Sequence, residues 1–275
     1  MYDVIIIGAG PAGISASLYI KRAALNVLVI GKDLGALEKA RQIENYYGTP
    51  KISGEELAKL GIEQAKQMQI PVQNEEVLEI NHNDTFEVIT KKNTYQAKAV
   101  ILATGTKRLA PPIAGIKEFE GRGVSYCATC DAFFYRKKDV AVLGSSDYAL
   151  HEAMHLLPVA RSVTLLTNGK KPSEVRDDRI KTNAKPIREF RGDKSIEDVS
   201  FKDGSNLAIS GVFVAEGTAS SVDFARKLGV EIDGNNIKVN ENMETNLKGL
   251  YACGDCTGRN ASNFKGSIRR CKSRN

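Results

Sequence analysis

The sequence predicts an α/β fold made of two Rossmann-like units, each doubly wound and three-layered, with the first unit discontinuous along the chain. Two stretches carry this prediction: Val4–Ile7 leads into a glycine turn and a helix, and Asp139–Leu143 begins a second strand, turn and helix. A third stretch, Gly249–Asp255, again has the pattern of a buried strand that ends in small and polar residues. It indicates that the chain returns to its first unit.

Length and composition limit the number of domains, the location of the protein and the roles of its cysteines. The chain has 275 residues, 42% of them hydrophobic and 26% charged, which is enough for two domains with proper cores. No cationic stretch precedes the short apolar run Val4–Ile7, so we expect a cytoplasmic protein with no signal sequence and no membrane span. In that reducing compartment, five cysteines favour catalytic, metal-binding or buried thiols over a disulfide scaffold.

The net charge of +6 favours an acidic partner. The basic residues are dispersed except between Lys265 and Arg274, and there is no basic stripe studded with aromatic residues. We therefore expect no nucleic acid as partner. A small acidic electron carrier would fit the positive net charge as well as a nucleic acid would.

The first glycine turn follows the first strand. Gly8 allows the tight turn, Gly10 lets the backbone approach a pyrophosphate, and Gly13 lets helix and strand pack closely. A second strand, Val27–Ile30, follows the helix. In this context the turn predicts dinucleotide binding.

The second strand lacks the acidic residue that usually grips the adenosine ribose. Gly31 and Lys32 stand there, and Asp33 is a possible substitute. Further along, the pattern predicts a helix over 54–68, a strand over 72–78, a hairpin over 81–94 and a buried strand over 99–105.

The second unit has the shape of a nicotinamide domain without its contacts. Its turn, Gly144–Ala149, keeps only the first of the expected glycines, and the strand Ser162–Leu166 is followed by Thr167–Gly169 with no arginine pair for a 2′-phosphate. Strands over 206–217 and 237–239 are expected to return to the first unit. We thus expect the first domain at 1–114 and 212–275, and the second at 115–211.

The second unit carries a candidate redox centre. Cys127 and Cys130 are separated by two residues and can close a small disulfide ring. Asp131 follows directly and is able to give a proton to a departing thiolate. The alternative is a pair of structural thiols.

Five motifs in this order resemble low-molecular-weight thioredoxin reductase: GAGPAG at 8–13, IENYYG at 43–48, ATG at 103–105, VSYCATCD at 124–131 and ACGD at 252–255. The reduced second turn and the missing arginines make the chain most similar to the ferredoxin-linked flavin branch, which takes no electrons from pyridine nucleotides. An NADPH-dependent disulfide reductase with an atypical nucleotide site is the nearest alternative, and a non-catalytic flavoprotein is a third.

The resemblance implies FAD as cofactor, ferredoxin as donor, thioredoxin as acceptor and a homodimer whose small domain rotates. It implies that Cys130 faces the flavin, Cys127 exchanges with thioredoxin and Asp131 acts as acid and base. Among the cofactor contacts, it places Val77 at the adenine, Gln42 and Asn45 on the flavin side, and Asp255 at the ribityl chain. The full set of cofactor-binding residues that the resemblance implies is Gly8, Gly10, Pro11, Ala12, Gly13, Gly31, Lys32, Gln42, Asn45, Val77, Ala103, Thr104, Gly105, Gly254 and Asp255.

Two other patterns suggest metal sites, and we expect neither to hold a metal. His151–His155 spells HExxH, but Pro158 ends the helix at once and only His82 remains as a third histidine. Cys253 and Cys256 form a second CxxC, far in sequence from the first, with Cys253 expected in the core and a secondary redox role open for Cys256.

The tail departs from the resemblance. A helix whose N-terminus faces the flavin is expected after Arg259, whereas this chain has Asn260–Lys272 in a different pattern. Ser262–Lys265, translated one base out of phase, can encode a segment like the expected helix. This suggests a shifted reading frame near Arg259.

Overall fold

The computed structural model describes residues 1–105 and 111–258, so the tail hypothesis and the expected helix after Arg259 lie outside the described residues. The chain forms two compact units: one from the described parts of Met1–Lys107 and Ser220–Asn275, the other from those of Arg108–Ala219.

The elements of the chain, in order, begin with those before residue 106: β1 Tyr2–Ile7, α1 Pro11–Arg22, β2 Val27–Ile30, a 3₁₀ helix Gly35–Lys39, α2 Gly54–Gln67, β3 Val72–Gln73, β4 Val77–His82, β5 Phe86–Thr90 and β6 Thr94–Leu102. The second unit contains β7 Val124–Ser125, α3 Ala128–Asp131, a 3₁₀ helix Ala132–Tyr135, β8 Asp139–Leu143, α4 Asp147–Leu156, β9 Ser162–Leu166, β10 Ile180–Asn183, β11 Ile187–Gly192, β12 Ile196–Phe201, β13 Asn206–Ala208 and β14 Gly211–Val214. The chain then adds α5 Ser221–Lys227, β15 Ile232–Asp233, β16 Asn236–Ile237, β17 Leu250–Ala252 and a 3₁₀ helix Gly254–Thr257.

The first unit is built on a seven-stranded sheet in the order β3-β2-β1-β6-β5-β4, with β17 also paired to β6. Strands β1, β2, β3, β6 and β17 are parallel, and β4, β5 and the start of β6 form an antiparallel meander. The last four residues of β1 and all of β2 are buried, as their unbroken β-branched and leucine runs predict for central parallel strands. One core lies between this sheet and α1, around Ile6, Ile14 and Val29.

The second unit has a five-stranded parallel sheet in the order β10-β9-β8-β14-β7 and a separate three-stranded antiparallel sheet, β11-β12-β13. Phe119, Val199 and Val212 belong to the core of this unit. Helix α4 follows β8 as the strand–turn–helix pattern predicts, with Ser146 as its N-cap. The predicted α/β class with two Rossmann-like units is confirmed.

The strands predicted over 206–217 differ from the prediction. They form two short strands, β13 and β14, and β14 pairs in parallel with β7 and β8 of the second unit rather than returning to the first. The assignment of this strand to the first unit was wrong, because the apolar run of β14 fits a central parallel strand of either unit. The compact second unit accordingly extends to Ala219, past the boundary expected at residue 212.

The strand predicted over 72–78 is also divided. Val72–Gln73 pairs with β2, and the chain turns at 74–76 before β4 begins at Val77 and opens the meander. Helix α2 begins at Gly54 as predicted, because Ser53 and Glu56 form a capping box. Within the described ranges, none of the helices has the length and apolar character needed to cross a membrane.

Candidate functional site

The two cysteines of the CATC motif are joined. Cys127 and Cys130 form a disulfide, with their Cα atoms 5.3 Å apart. Cys127 lies between β7 and α3 as the N-cap of α3, and its sulfur accepts a hydrogen bond from the Cys130 N–H at 3.1 Å. Cys127 is 4% exposed, whereas Cys130 is exposed.

Ser125 connects this disulfide to the neighbouring acid. Its hydroxyl donates to the Asp131 carboxylate at 2.7 Å, and its oxygen accepts the Cys127 N–H at 3.1 Å. Ser125 is 5% exposed, and its bond to Cys127 is shielded from solvent while its bond to Asp131 is partly buried. The sequence analysis missed Ser125, although a hydroxyl six residues before the acid was the available signal.

Glu152, the acidic residue of the HExxH pattern, belongs to the same centre. Its carboxylate is 2% exposed and accepts the backbone N–H of Ala128, the first residue of α3, at 3.0 Å. The Nε2 atoms of His151 and His155 lie 3.1 Å apart on the same helix, and both residues are partly buried. The acidic residue of this pattern therefore contacts the CxxC segment.

An exposed aromatic pair follows the disulfide. Phe133 and Phe134 are 74% and 68% exposed, in the 3₁₀ helix that continues α3. Arg136, Lys137 and Lys138 come next and are also exposed. Exposed aromatic residues beside a cationic segment are typical of a protein-binding surface.

In the first unit, four strand ends meet. Because β1, β2, β6 and β17 are parallel, the residues that follow them share one edge of the sheet. Hydrogen bonds join successive ends: Gly8 N–H to the Ile30 carbonyl at 2.8 Å, Ala103 N–H to Ile7 at 2.8 Å, and Cys253 N–H to Leu102 at 3.0 Å. This edge brings together the predicted residues Gly8, Gly31, Lys32, Ala103, Thr104, Gly105, Gly254 and Asp255.

The glycine turn fits a pyrophosphate. A Cβ at Gly8 or Gly13 would clash with a backbone carbonyl, whereas no atom lies within 4 Å of the Cβ position at Gly10. Gly10 is the N-cap of α1 and offers no side chain to the first N–H groups of the helix, and Pro11 occupies the first helical position. The helix start therefore presents open space and N–H donors, as an anion requires.

Residues at this edge make three further contacts. Glu76, the residue before β4, pairs with Lys32, two residues after the end of β2, at 2.6 Å. Asp33, the possible ribose ligand, accepts the Gly35 N–H at 2.9 Å within its own turn. A Cβ at Gly254 would lie 2.7 Å from that of Ala12, so the ACGD turn packs against the first turn of α1.

Thr104 is held by a residue that the sequence analysis missed. Its N–H donates to the Ser221 hydroxyl at 3.0 Å, and the Ser221 N–H donates to the Thr104 hydroxyl at 2.7 Å. Ser221 is fully buried at the start of α5. Thr104, two residues after β6, is thereby joined to a segment 117 residues away.

Some of the predicted cofactor residues make none of these contacts. Gln42 and Asn45 are exposed in a segment whose described pairing is the bridge between Ile43 and Ile52, and Gln42 donates to Glu44 at 2.5 Å. Asp255 lies at the edge with its side chain exposed. The cofactor roles of these three residues, like those of the other predicted contacts, stay predictions.

The second CxxC differs chemically from the first. Both Cys253 and Cys256 are free thiols. Burial raises the pKa of Cys253 to about 11 and that of Cys256 to about 12. Cys256 donates to the carbonyls of Cys253 and Leu102 at 3.2 and 3.4 Å. Neutral thiols are poor nucleophiles, which argues against a redox role for Cys256, and Cys253 is partly buried against the core of the first unit.

The second unit carries a disulfide with an acid close by, and the first unit has a sheet edge suited to binding a dinucleotide. Together they define a disulfide oxidoreductase with two Rossmann-like domains. A family profile described as pyridine nucleotide-disulphide oxidoreductase matches residues 2–272. The chain belongs to this family. It is an oxidoreductase of the thioredoxin reductase-like, flavin-dependent type that acts on a disulfide, and thioredoxin reductases of the family bind FAD.

Relatives and solved structures agree with that assignment. A thioredoxin reductase of Aquifex aeolicus is 38% identical over 93% of this chain and 85% of its own, and one of Listeria innocua is 34% identical over 93% and 86%. An atypical thioredoxin reductase from Desulfovibrio vulgaris Hildenborough superposes with a TM-score of 0.88 at 37% identity, over 94% of this chain and 90% of that one. A ferredoxin-flavin thioredoxin reductase from Clostridium acetobutylicum gives 0.67 at 36% identity, with the same coverage.

Proposed function

We propose that this chain reduces thioredoxin through Cys127 and Cys130, with electrons that ferredoxin supplies by way of FAD. The observation that carries the proposal is the Cys127–Cys130 disulfide, which has Asp131 tied to it through Ser125. The ferredoxin part is supported by the state of the second glycine turn and by the similarity to a ferredoxin-flavin enzyme.

FAD would bind at the strand-end edge of the first unit. The start of α1 at Gly10–Gly13 would hold the pyrophosphate, and Thr104, fixed by Ser221, would line the cofactor with Gly105. Bound FAD supplies the ability to collect single electrons and pass them on as a pair. Asp255 would accept a hydrogen bond from a ribityl hydroxyl.

The exchange step then needs only the chain's own sulfurs. Once the disulfide is reduced, the Cys127 thiolate attacks the disulfide of oxidised thioredoxin, and the sulfur that leaves takes up a proton. The Cys130 thiolate next attacks Cys127, which restores the Cys127–Cys130 disulfide and releases thioredoxin as a dithiol. Asp131 would carry the protons, held in place by Ser125. Since Cys127 is 4% exposed, it must be uncovered before it can meet thioredoxin.

The second turn argues for a donor other than a pyridine nucleotide. Ser146 caps α4 itself: its oxygen accepts the Ala149 N–H at 3.4 Å and its hydroxyl donates to the Gly217 carbonyl at 2.5 Å. A pyrophosphate would have to compete with this cap for the helix start. Hydride transfer requires a bound nicotinamide, whereas a one-electron donor requires only proximity and complementary charge.

One observation favours the NADPH-dependent alternative. A cavity of about 380 Å³ opens beside the end of β9, and its lining includes Lys170, Arg188 and Lys202. A phosphate would suit these cations. Two lining residues are already engaged, however, because Lys170 pairs with Glu216 at 2.6 Å and Asn168 accepts the Ile187 N–H at 2.7 Å.

The energetics allow a ferredoxin donor. Plant-type ferredoxins have reduction potentials of about −400 mV and thioredoxin one of about −270 mV, so transfer of two electrons releases roughly 6 kcal/mol. The net charge of +6 suits an acidic carrier. A cytoplasmic homodimer, with domains that rotate to expose the disulfide, completes the proposal.

The test is anaerobic mixing of the FAD-loaded protein with reduced ferredoxin and, separately, with NADPH, while the flavin absorbance is followed. We expect bleaching by ferredoxin and subsequent thioredoxin reduction, with Cys130→Ser losing thioredoxin reduction while it keeps FAD. Rapid bleaching by micromolar NADPH would establish the alternative donor. A flavoprotein that reduces no disulfide with either donor would support the non-catalytic reading.

A further inference from the structure

The backbone N–H groups at the start of α3 are divided between a sulfur and a carboxylate. The Cys130 N–H donates to the Cys127 sulfur at 3.1 Å, while the Ala128 N–H, directly after Cys127, donates to Glu152 at 3.0 Å. Glu152 comes from α4, 24 residues later in sequence, and is 2% exposed. The buried carboxylate of Glu152 therefore contacts the residue that directly follows Cys127.

Such a carboxylate has a definite effect on a redox cysteine. N–H groups at a helix start stabilise a thiolate and lower the pKa of cysteines in CxxC motifs. An anion that occupies one of those donors reduces this stabilisation, and its own charge opposes a second negative charge nearby. Stabilising the thiolate makes a disulfide more oxidising, so destabilising it makes the dithiol a stronger reductant.

We propose that Glu152 is a positioning residue that keeps the Cys127–Cys130 pair strongly reducing by taking the Ala128 N–H and placing a negative charge at the start of α3. The inference rests on the proposed function, since a reductase of thioredoxin needs a dithiol that gives up its electrons readily. It also accounts for a carboxylate buried at this point of the fold, where an apolar side chain would cost less to bury.

The test compares Glu152→Gln with the unaltered protein. The amide oxygen still accepts the Ala128 N–H, so the change removes the charge and keeps the hydrogen bond. The measured quantity is the equilibrium between the Cys127–Cys130 disulfide and a dithiol buffer, read by trapping free thiols anaerobically. We expect the reduced form to be favoured about tenfold more in Glu152→Gln, which corresponds to a potential higher by about 30 mV.

Two further variants make the result specific. Glu174→Gln makes the same charge change in the same unit at an exposed carboxylate that pairs with Arg176, and it should leave the equilibrium unchanged. Glu152→Asp keeps the charge but shortens its reach, so we expect a smaller shift in the same direction. This variant decides the matter if Glu152→Gln does not fold.

The outcomes separate the two proposals. If the Cys127–Cys130 disulfide exchanges with the buffer but the Glu152 variants match the unaltered protein within about twofold, the role of Glu152 is refuted and the proposed function stands. If the disulfide does not exchange with the buffer at all, the proposed function itself fails. A shift in Glu174→Gln as large as that in Glu152→Gln would also refute the role, because it would reduce the effect to overall charge.

Discussion

The hydroxyl of Ser125 donates a 2.7 Å hydrogen bond to the carboxylate of Asp131, and the same oxygen accepts the backbone N–H of Cys127 at 3.1 Å. One buried side chain therefore fixes both the acid and the first cysteine of the redox pair. If Asp131 carries the protons as proposed, we expect Ser125 to affect the rate by holding the acid near the sulfur.

Replacement of Ser125 by alanine should slow thioredoxin reduction by about tenfold to a hundredfold, since a hydrogen bond to a charged group is worth about 1.5–3 kcal/mol. FAD content should not change. The measurement is steady-state turnover of Ser125→Ala, Asp131→Asn and the double variant. If Ser125 acts through Asp131, the two effects are not additive. Additive effects would show that Ser125 acts by another route.

Replacement of both Phe133 and Phe134 by alanine should raise KM for thioredoxin by at least about tenfold, because exposed aromatic residues often anchor protein interfaces. Reduction of the Cys127–Cys130 disulfide by a small dithiol should be unaffected. The matched control is Met154→Ala, which removes another exposed apolar side chain, 55% exposed, from the same unit. An unchanged KM in the phenylalanine variant would place the thioredoxin surface elsewhere.

Two substitutions in the first glycine turn should have different effects, one on FAD binding and the other on the stability of the fold. Gly10→Val places atoms in open space, so the protein should fold but lose FAD, measured as flavin per chain after purification. Gly13→Ala would press against the Gly8 carbonyl, so the fold itself should lose about 1–3 kcal/mol of stability. Full FAD content in Gly10→Val would contradict a pyrophosphate at this turn.

Cys256 is buried and Cys253 is partly buried. Both thiols should resist alkylation at pH 8, because burial raises the pKa of Cys253 to about 11 and that of Cys256 to about 12. Both values lie above the ordinary value of 9.0. Burial of the neutral thiols therefore contributes stability that is complete below pH 9 and is lost as pH rises towards 11–12. Denaturant unfolding between pH 9 and pH 11 should show a shallower loss of stability in a Cys253→Ala, Cys256→Ala variant. Rapid alkylation of either thiol in the native protein at pH 8 would contradict this account.

Local rules explain what could be predicted. The strand before Gly8, the helix from Pro11, the capped start of α2 and the strand–turn–helix at Asp139 all follow from neighbours within a few residues. The CxxC spacing likewise allows a disulfide without further information, because the ring closes within one turn of chain.

The sequence by itself determined the α/β class, the glycine turn and the redox pair, since each depends on sterics and spacing over a few residues. Only the tertiary structure decided that β14 joins the second sheet, that Ser221 holds Thr104 across 117 residues, and that Glu152 turns inward to the Ala128 N–H. These contacts depend on which surfaces the folded chain brings together, and a buried donor or acceptor takes whichever partner the packing places within reach.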